Sequence, residues 1–279
     1  MKQILLLSVI SILFYGCMEN DPVIKEKQLN ISILIDLSDR IKSQNAVSYD
    51  IENVKTITEF FKLNMEQLGA YKAQGKIGIF FTPLPTIQDI NSIVTKLEIN
   101  CSKMDSKKRK GVYDSITELY TTNLEKIYQE AVRNNYFPGA DIWRFFKDNI
   151  DYCIDTDTSY RNILIIFTDG YLYHQNSTFN NGNRFTYLSG NINRYRDNQN
   201  WKNLLDNDDF GILTERNDLN NLEVLVLEVK AENYTIDEDI LKYCWKKWFE
   251  EMNVSHYQVY SSDMPANTKK RIESFFAFQ

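Results

Sequence analysis

The sequence predicts an α/β fold, a mostly parallel sheet with helices on both faces, and three observations carry that reading. Short apolar runs rich in β-branched residues recur at 31–35, 76–81, 162–168, 222–229 and 256–260. Runs of this kind suit strands buried on both faces. Segments with helical spacing fall between them, at 50–69, 111–120, 122–134, 141–154, 237–252 and 266–277, and strands alternating with helices build parallel sheets. Two of the runs stop at acidic and hydroxyl clusters, Asp36-Leu37-Ser38-Asp39-Arg40 and Thr168-Asp169-Gly170. Open parallel sheets bind their ligands at such carboxyl ends.

Taken in order, Ile31-Ser32-Ile33-Leu34-Ile35 is the first strand. Ile51, Val54, Ile57, Phe60, Phe61 and Leu63 give the first helix its stripe, and Gly69 suits its end. The second strand, 76–81, is broken by Thr82-Pro83-Leu84-Pro85. Ser92 to Ile99 alternates and is expected to return as an antiparallel strand. Two helices follow, closed by Pro138-Gly139, and then a third through Ile142, Phe145, Phe146, Ile150 and Cys153. Residues 162–168 form the clearest strand. Residues 175–221 break the rhythm as a long Asn-rich insertion with Phe179, Phe185, Tyr187, Tyr195 and Trp201 scattered through it. Loops this long are functional or disordered, and the aromatics argue for partial order. Beyond it come strand 222–229, a helix carrying Ile240, Leu241, Cys244, Trp245, Trp248 and Phe249, strand 256–260 and a last helix.

The chain opens with Met1-Lys2-Gln3, an apolar run from Ile4 to Tyr15, and Gly16-Cys17. A basic start, roughly 7–15 apolar residues and a small residue at the cut describe a secretory signal peptide. The run is short of the about 20 residues a membrane span needs. Phe14-Tyr15-Gly16-Cys17 resembles the bacterial lipobox, with Tyr15 departing from the small residue usual before the glycine. The resemblance implies a diacylglycerol thioether on Cys17, residues 1–16 as signal peptide and 17–29 as tether. Two or three acyl chains anchor stably where one does not. The expected partner at this end is therefore a membrane of the bacterial cell envelope, the outer membrane by expectation.

The formal charge of −6, together with that location, argues against a nucleic-acid partner. Lys107-Lys108-Arg109-Lys110 reads as a solvated run before a helix. With Cys17 lipidated, Cys101, Cys153 and Cys244 remain; an odd number cannot all pair, and their spacing fits no metal motif. They are expected to be small buried hydrophobes, with room for one disulfide. Only two histidines, His174 and His256, are present, which argues against a histidine-rich zinc site.

Carboxylates and hydroxyls at strand ends suit a hard cation such as Mg2+. The arrangement resembles the von Willebrand factor A domain, a Rossmann-like α/β family, over roughly residues 30–277 outside the insertion. In that family an Asp-x-Ser-x-Ser stretch, a Thr and a later Asp form a metal-ion-dependent adhesion site. Asp36, Ser38, Thr122 (or its neighbour Thr121, in Thr-Thr-Asn-Leu) and Asp169 match these positions. Arg40 stands where the third hydroxyl belongs, and arginine has no acceptor with which to ligate a cation. Either it fills the metal position with its own charge, pairing Asp36 or Asp169, or it points to solvent and water replaces the hydroxyl. Each matched residue taken alone is equally explained by helix capping.

The resemblance implies a non-enzymatic envelope protein that recognises a protein or other ligand at the carboxyl face of its sheet. Arg40, Asp39, Tyr171 and His174 are the expected partner contacts. A metal-dependent hydrolase of the envelope is the alternative, cued only by carboxylates near His174. A structural lipoprotein with a vestigial site is the third reading. No Walker loop, dinucleotide glycine motif or Gly-x-Ser-x-Gly elbow is present.

Overall fold

Five of the apolar runs become the parallel strands of one sheet in a computed structural model of the protein, which describes residues 27–85 and 87–278. Cys17 and the signal peptide lie outside the described residues. The chain runs β1 (Gln28–Asp36), α1 (Ala46–Leu68), β2 (Lys76–Thr82), α2 (Ile90–Leu97), β3 (Ile99–Asn100) and α3 (Ser106–Asn134). It continues through β4 (Gly139–Ala140), α4 (Ile142–Arg144), β5 (Tyr160–Phe167), β6 (Tyr173–His174), β7 (Asn180–Asn181) and β8 (Arg184–Phe185). It ends with α5 (Trp201–Asn207), β9 (Gly211–Ile212), β10 (Glu223–Val229), α6 (Thr235–Glu251), β11 (His256–Ser261) and α7 (Pro265–Ala277). The main sheet has the order β11-β10-β5-β1-β2-β3. All its pairs are parallel except the short β2–β3 edge. β1 begins at Gln28, inside the last two residues of the expected tether.

The pleat sorts each central strand between two cores. Ile31, Ile33, Ile35, Ile163, Ile165, Phe167, Leu225 and Leu227 join α1, α3 and α7 on one face. Leu34, Leu164, Ile166, Val224 and Val226 join α6, the 142–153 segment and the insertion on the other. Successive side chains point to opposite faces, so a strand covered on both sides must be apolar throughout. That is why these runs show no alternation. α1 stops where the sequence places Gly69, whose φ of +76° lets its amide reach back to Met65 and Glu66.

Two expectations are corrected, and two further segments are described more closely. Residues 92–99 are mostly helix, because Ile90, Ile93, Val94 and Leu97 fall at i, i+3, i+4 and i+7; only Ile99–Asn100 pairs antiparallel. The two helices expected at 111–134 are one helix, α3. The segment at 141–154 is a three-residue α-turn running into a wide π-turn at 145–149 and a 3-10 turn at 150–153. The insertion is a built part of the core: Leu188, Ile192, Tyr195, Leu205, Phe210, Ile212 and Leu219 are all buried in it. Its strands β7, β8 and β9 form a small separate sheet. Cys101, Cys153 and Cys244 are buried free thiols, so they pair with nothing.

Candidate functional site

The carboxyl ends of β1, β5 and β10 converge on one buried polar cluster. β1 ends at Asp36. Its Oδ1 accepts from the Ser38 amide at 2.7 Å and its Oδ2 from the Thr168 hydroxyl at 2.8 Å. Thr168 follows β5 directly, and its hydroxyl also accepts from the Gly170 amide. The chain then turns through a 3-10 segment at Asp39–Lys42, which folds Arg40 back under the strand end. Its Nε donates to the Asp36 carbonyl at 2.8 Å and lies 3.9 Å from Asp36 Oδ2, and its Nη2 donates to Asp50 Oδ2 at 2.7 Å. Tyr128, from α3, donates to the same Asp50 oxygen. Arg40 is 7% exposed and Asp50 0%.

Glu228 closes the cluster from β10. It sits at φ +71° where the register with β11 shifts between Val226 and Val229. A non-glycine residue in this region costs on the order of 1–3 kcal/mol. The bulge turns the carboxylate inward, where Asn53 donates at 2.9 Å and Ser262 at 2.6 Å.

Electrostatics follow from burial. Desolvation pushes the Asp36 carboxyl up, with Arg40 pulling against it. Burial, and then the Asp36 charge, raise Asp169 to about 7. Burial likewise raises Glu228, against the Ser262 hydrogen bond. For Arg40, burial works against the charge, and Asp50 and then Asp36 outweigh it, so its pKa rises. Arg40 is thus the fixed cation around which these carboxyls are arranged.

The sequence-expected residues divide. Asp36, Ser38, Arg40 and Asp169 come together at the strand ends. Thr122 does not: it lies in the interior of α3 on an exposed position, with no hydrogen bond to Asp36, Ser38 or Asp169 among the described residues. The Thr121-Thr122 step is no helix start, because the Thr121 hydroxyl folds back onto the Thr117 carbonyl within the helix. Tyr128 is the α3 residue that reaches the cluster. Arg40 lies beneath the surface instead of on it, so it cannot meet a partner directly, while Asp39 beside it is exposed.

Tyr171 turns to α6, its hydroxyl donating to Asp237 at 2.8 Å. The fully buried Asp237 is also gripped by Arg196 of the insertion through two bonds of 2.7 Å. The insertion is thereby clamped to the first turn of α6. His174 lies on β6, where its Nδ1 accepts from the Asn176 amide at 3.3 Å and stands 3.4 Å from Asp141. Asp141 also accepts from Ser177 at 2.5 Å, and its amide donates to Thr82 at the end of β2.

The donor set suits a divalent cation poorly. Each Asp36 oxygen already accepts one hydrogen bond, the third hydroxyl position holds a guanidinium, and Thr122 is elsewhere. Among the described residues no three His, Cys, Asp or Glu side chains gather as a metal site. Within this cluster, among the described residues, Asp50 Oδ1 and Asn53 Oδ1, both on the same stripe of α1, are buried without a hydrogen-bond partner.

No known protein family matches the chain, and no curated protein sequence matches it. Two crystal structures of the pilus adhesin SpaC from Lactobacillus rhamnosus GG are similar to it, one of them in an open conformation. Identities are 10% and 9% and TM-scores 0.41 and 0.40, over 89% of this chain. The chain spans 30% and 29% of the adhesin's length. A likeness this distant fixes neither a family nor a function.

Asp50, Asn53, Tyr128 and Glu228 are the site residues that sequence reasoning missed. A signal for the first two existed: they continue the stripe of Val54, Ile57, Phe61 and Met65 on α1, where a polar residue must find a buried partner.

Proposed function

We propose that the protein is a lipid-anchored binding protein of the bacterial cell envelope that meets a protein or other ligand with the carboxyl face of its sheet. One observation carries the binding role. Of eleven exposed large apolar side chains among the described residues, six (Leu84, Tyr136, Tyr173, Phe179, Tyr234 and Met264) lie on connections at the carboxyl end of the sheet. Exposed apolar groups gathered at one end mark interaction surfaces, and this is the end where parallel sheets bind. A cleft of about 290 Å3 between Leu84, Thr82, Arg144 and Phe145 opens on the same face.

In this reading the Arg40 cluster is the rigid base under the face, and Arg40 supplies the positive charge that Mg2+ would bring in an adhesion site. Asp39 and His174 border the contact surface, with Tyr173 and Phe179. Cys17 is the anchor, to the outer membrane by preference, on the strength of the signal-like start and the lipobox-like motif. Among the described residues no helix is long and apolar enough to cross a membrane.

Binding is favoured over hydrolysis by the geometry around His174. Ser177 donates to Asp141 and not to the imidazole, so His174 and Ser177 do not form the hydroxyl–imidazole pair of a nucleophile and its base. The test is capture from envelope extracts by the wild type and by a Tyr173→Ser/Phe179→Ser/Tyr234→Ser variant. A partner retained by the wild type and lost by the equally folded variant supports the reading. Identical capture by both would rule out this face.

A further inference from the structure

A cavity of about 600 Å3 lies at the opposite, amino edge of the sheet, between the second half of α1 and the last turn of α7. Its walls are Leu29, Phe60, Leu63, Phe276, Ala277 and Phe278. The polar groups at its floor are consumed by one another. Arg161 grips Glu223 through bonds of 2.6 and 2.8 Å and donates to the Phe276 and Phe275 carbonyls at 2.7 and 3.0 Å. His256 is stacked between Phe275 and Phe278, with Nδ1 3.4 Å from Glu223. The floor therefore offers an entering molecule no free charge. At the lip, Leu63 and Phe278 are 48% and 54% exposed, which leaves apolar surface in water. Lys27 and Glu273 both line the cavity, are exposed, and make no ion pair among the described residues. The volume is that of a small-molecule site, typically about 300–1,000 Å3 and mostly apolar. An apolar bore matches an aliphatic chain, and an anionic head on that chain would sit at Lys27, on the side of the mouth away from Glu273.

Position supplies the source of that chain. Lys27 directly precedes β1, and only residues 18–26 separate it from Cys17. At about 3.3–3.6 Å per residue, that length keeps the cavity mouth within a few nanometres of the anchor. We propose that the cavity is an acyl-chain site, filled by one fatty-acyl chain of the membrane to which Cys17 tethers the protein, with its anionic end at Lys27. The carboxyl face is then turned away from the bilayer, toward its partner. The source of the chain rests on the anchor proposed above; the fit of the cavity does not.

The experiment is a titration of the full chain with the fluorescent fatty acid cis-parinarate, followed by displacement with palmitate. The expected result is saturable binding of one probe per chain. Leu63→Glu and Phe278→Glu, each placing a carboxylate in the lip, weaken it by about tenfold or more while thermal unfolding is unchanged. Absence of saturable binding, or equal binding in both variants, overturns the proposal. Binding that appears only in Cys17→Ser overturns the bilayer as the source, since the protein's own lipid then fills the cavity. Mass spectrometry of the N-terminal peptide separates the two readings. An acylated Cys17 with no probe binding in either the wild type or Cys17→Ser sinks the cavity and leaves the anchor standing. Probe binding with an unmodified Cys17 keeps the cavity and removes the anchor.

Discussion

The Arg40 guanidinium donates to the Asp50 carboxylate at 2.7 Å, with both side chains out of reach of water. Ten residues apart in sequence, they join the end of β1 to the first turns of α1. Removing one member of a buried pair leaves the other charged and unsolvated, at about 3–5 kcal/mol. Arg40→Met is therefore expected to lose stability of that order, measured by urea unfolding. Arg40→Met combined with Asp50→Leu should recover a large part of it, because no lone charge remains. If the single substitution changes the midpoint no more than an ordinary surface substitution does, Arg40 is not the cluster's counter-ion.

Asp169 gives the protein a pH signature. Its carboxyl titrates at about 7 in the folded chain and at about 3.9 when unfolded. Between these values the folded state holds the extra proton. Stability from the protonated group is thus complete below about pH 4 and lost as pH rises through about 7. Asp169→Asn, which stays neutral throughout, should be the more stable protein at pH 8, by on the order of 4 kcal/mol. The gap to the wild type should widen upward from about pH 4 and flatten above 7. Thermal unfolding of both proteins across that range checks it, and a gap that shrinks with rising pH would refute it.

Arg196 is expected to hold the insertion down. Its two bonds to the fully buried Asp237 are the polar link between residues 191–196 and the start of α6. Arg196→Ala should cost about 1.5–3 kcal/mol, the range for hydrogen bonds to charged groups. Hydrogen exchange should show the loss as faster exchange over 191–207, with the central strands unchanged. Uniform acceleration throughout would mean that the clamp is global instead of local.

The sheet was legible because burial on both faces leaves an unbroken apolar run, as at Ile163-Leu164-Ile165-Ile166-Phe167. α2 was misread because Ser92–Ile99 also contains a period-2 pattern, and only the longer window from Ile90 reveals the helix. Thr121-Thr122 resembled a helix start because a hydroxyl pair caps helices, yet the same hydroxyl bonds a carbonyl one turn back inside α3. Asp36, Ser38 and Asp169 could be found since each ends or follows a strand. Asp50, Tyr128 and Glu228 could not be assembled in the same way. They come from two helices and a bulge, and only tertiary packing brings them to one arginine. The position of Arg40 was readable from the motif, but its inward turn was one of two open arrangements.

We infer that Arg40, and not a divalent cation, neutralises the carboxylates at the end of the sheet. Thermal unfolding of the purified chain in EDTA and across millimolar Mg2+ tests this most directly. A cation held by the folded state alone raises the midpoint by mass action as its concentration grows. With Arg40 as the counter-ion, the midpoint is the same in EDTA and at every Mg2+ concentration. A saturable rise in Mg2+ that disappears in Asp36→Asn would contradict it.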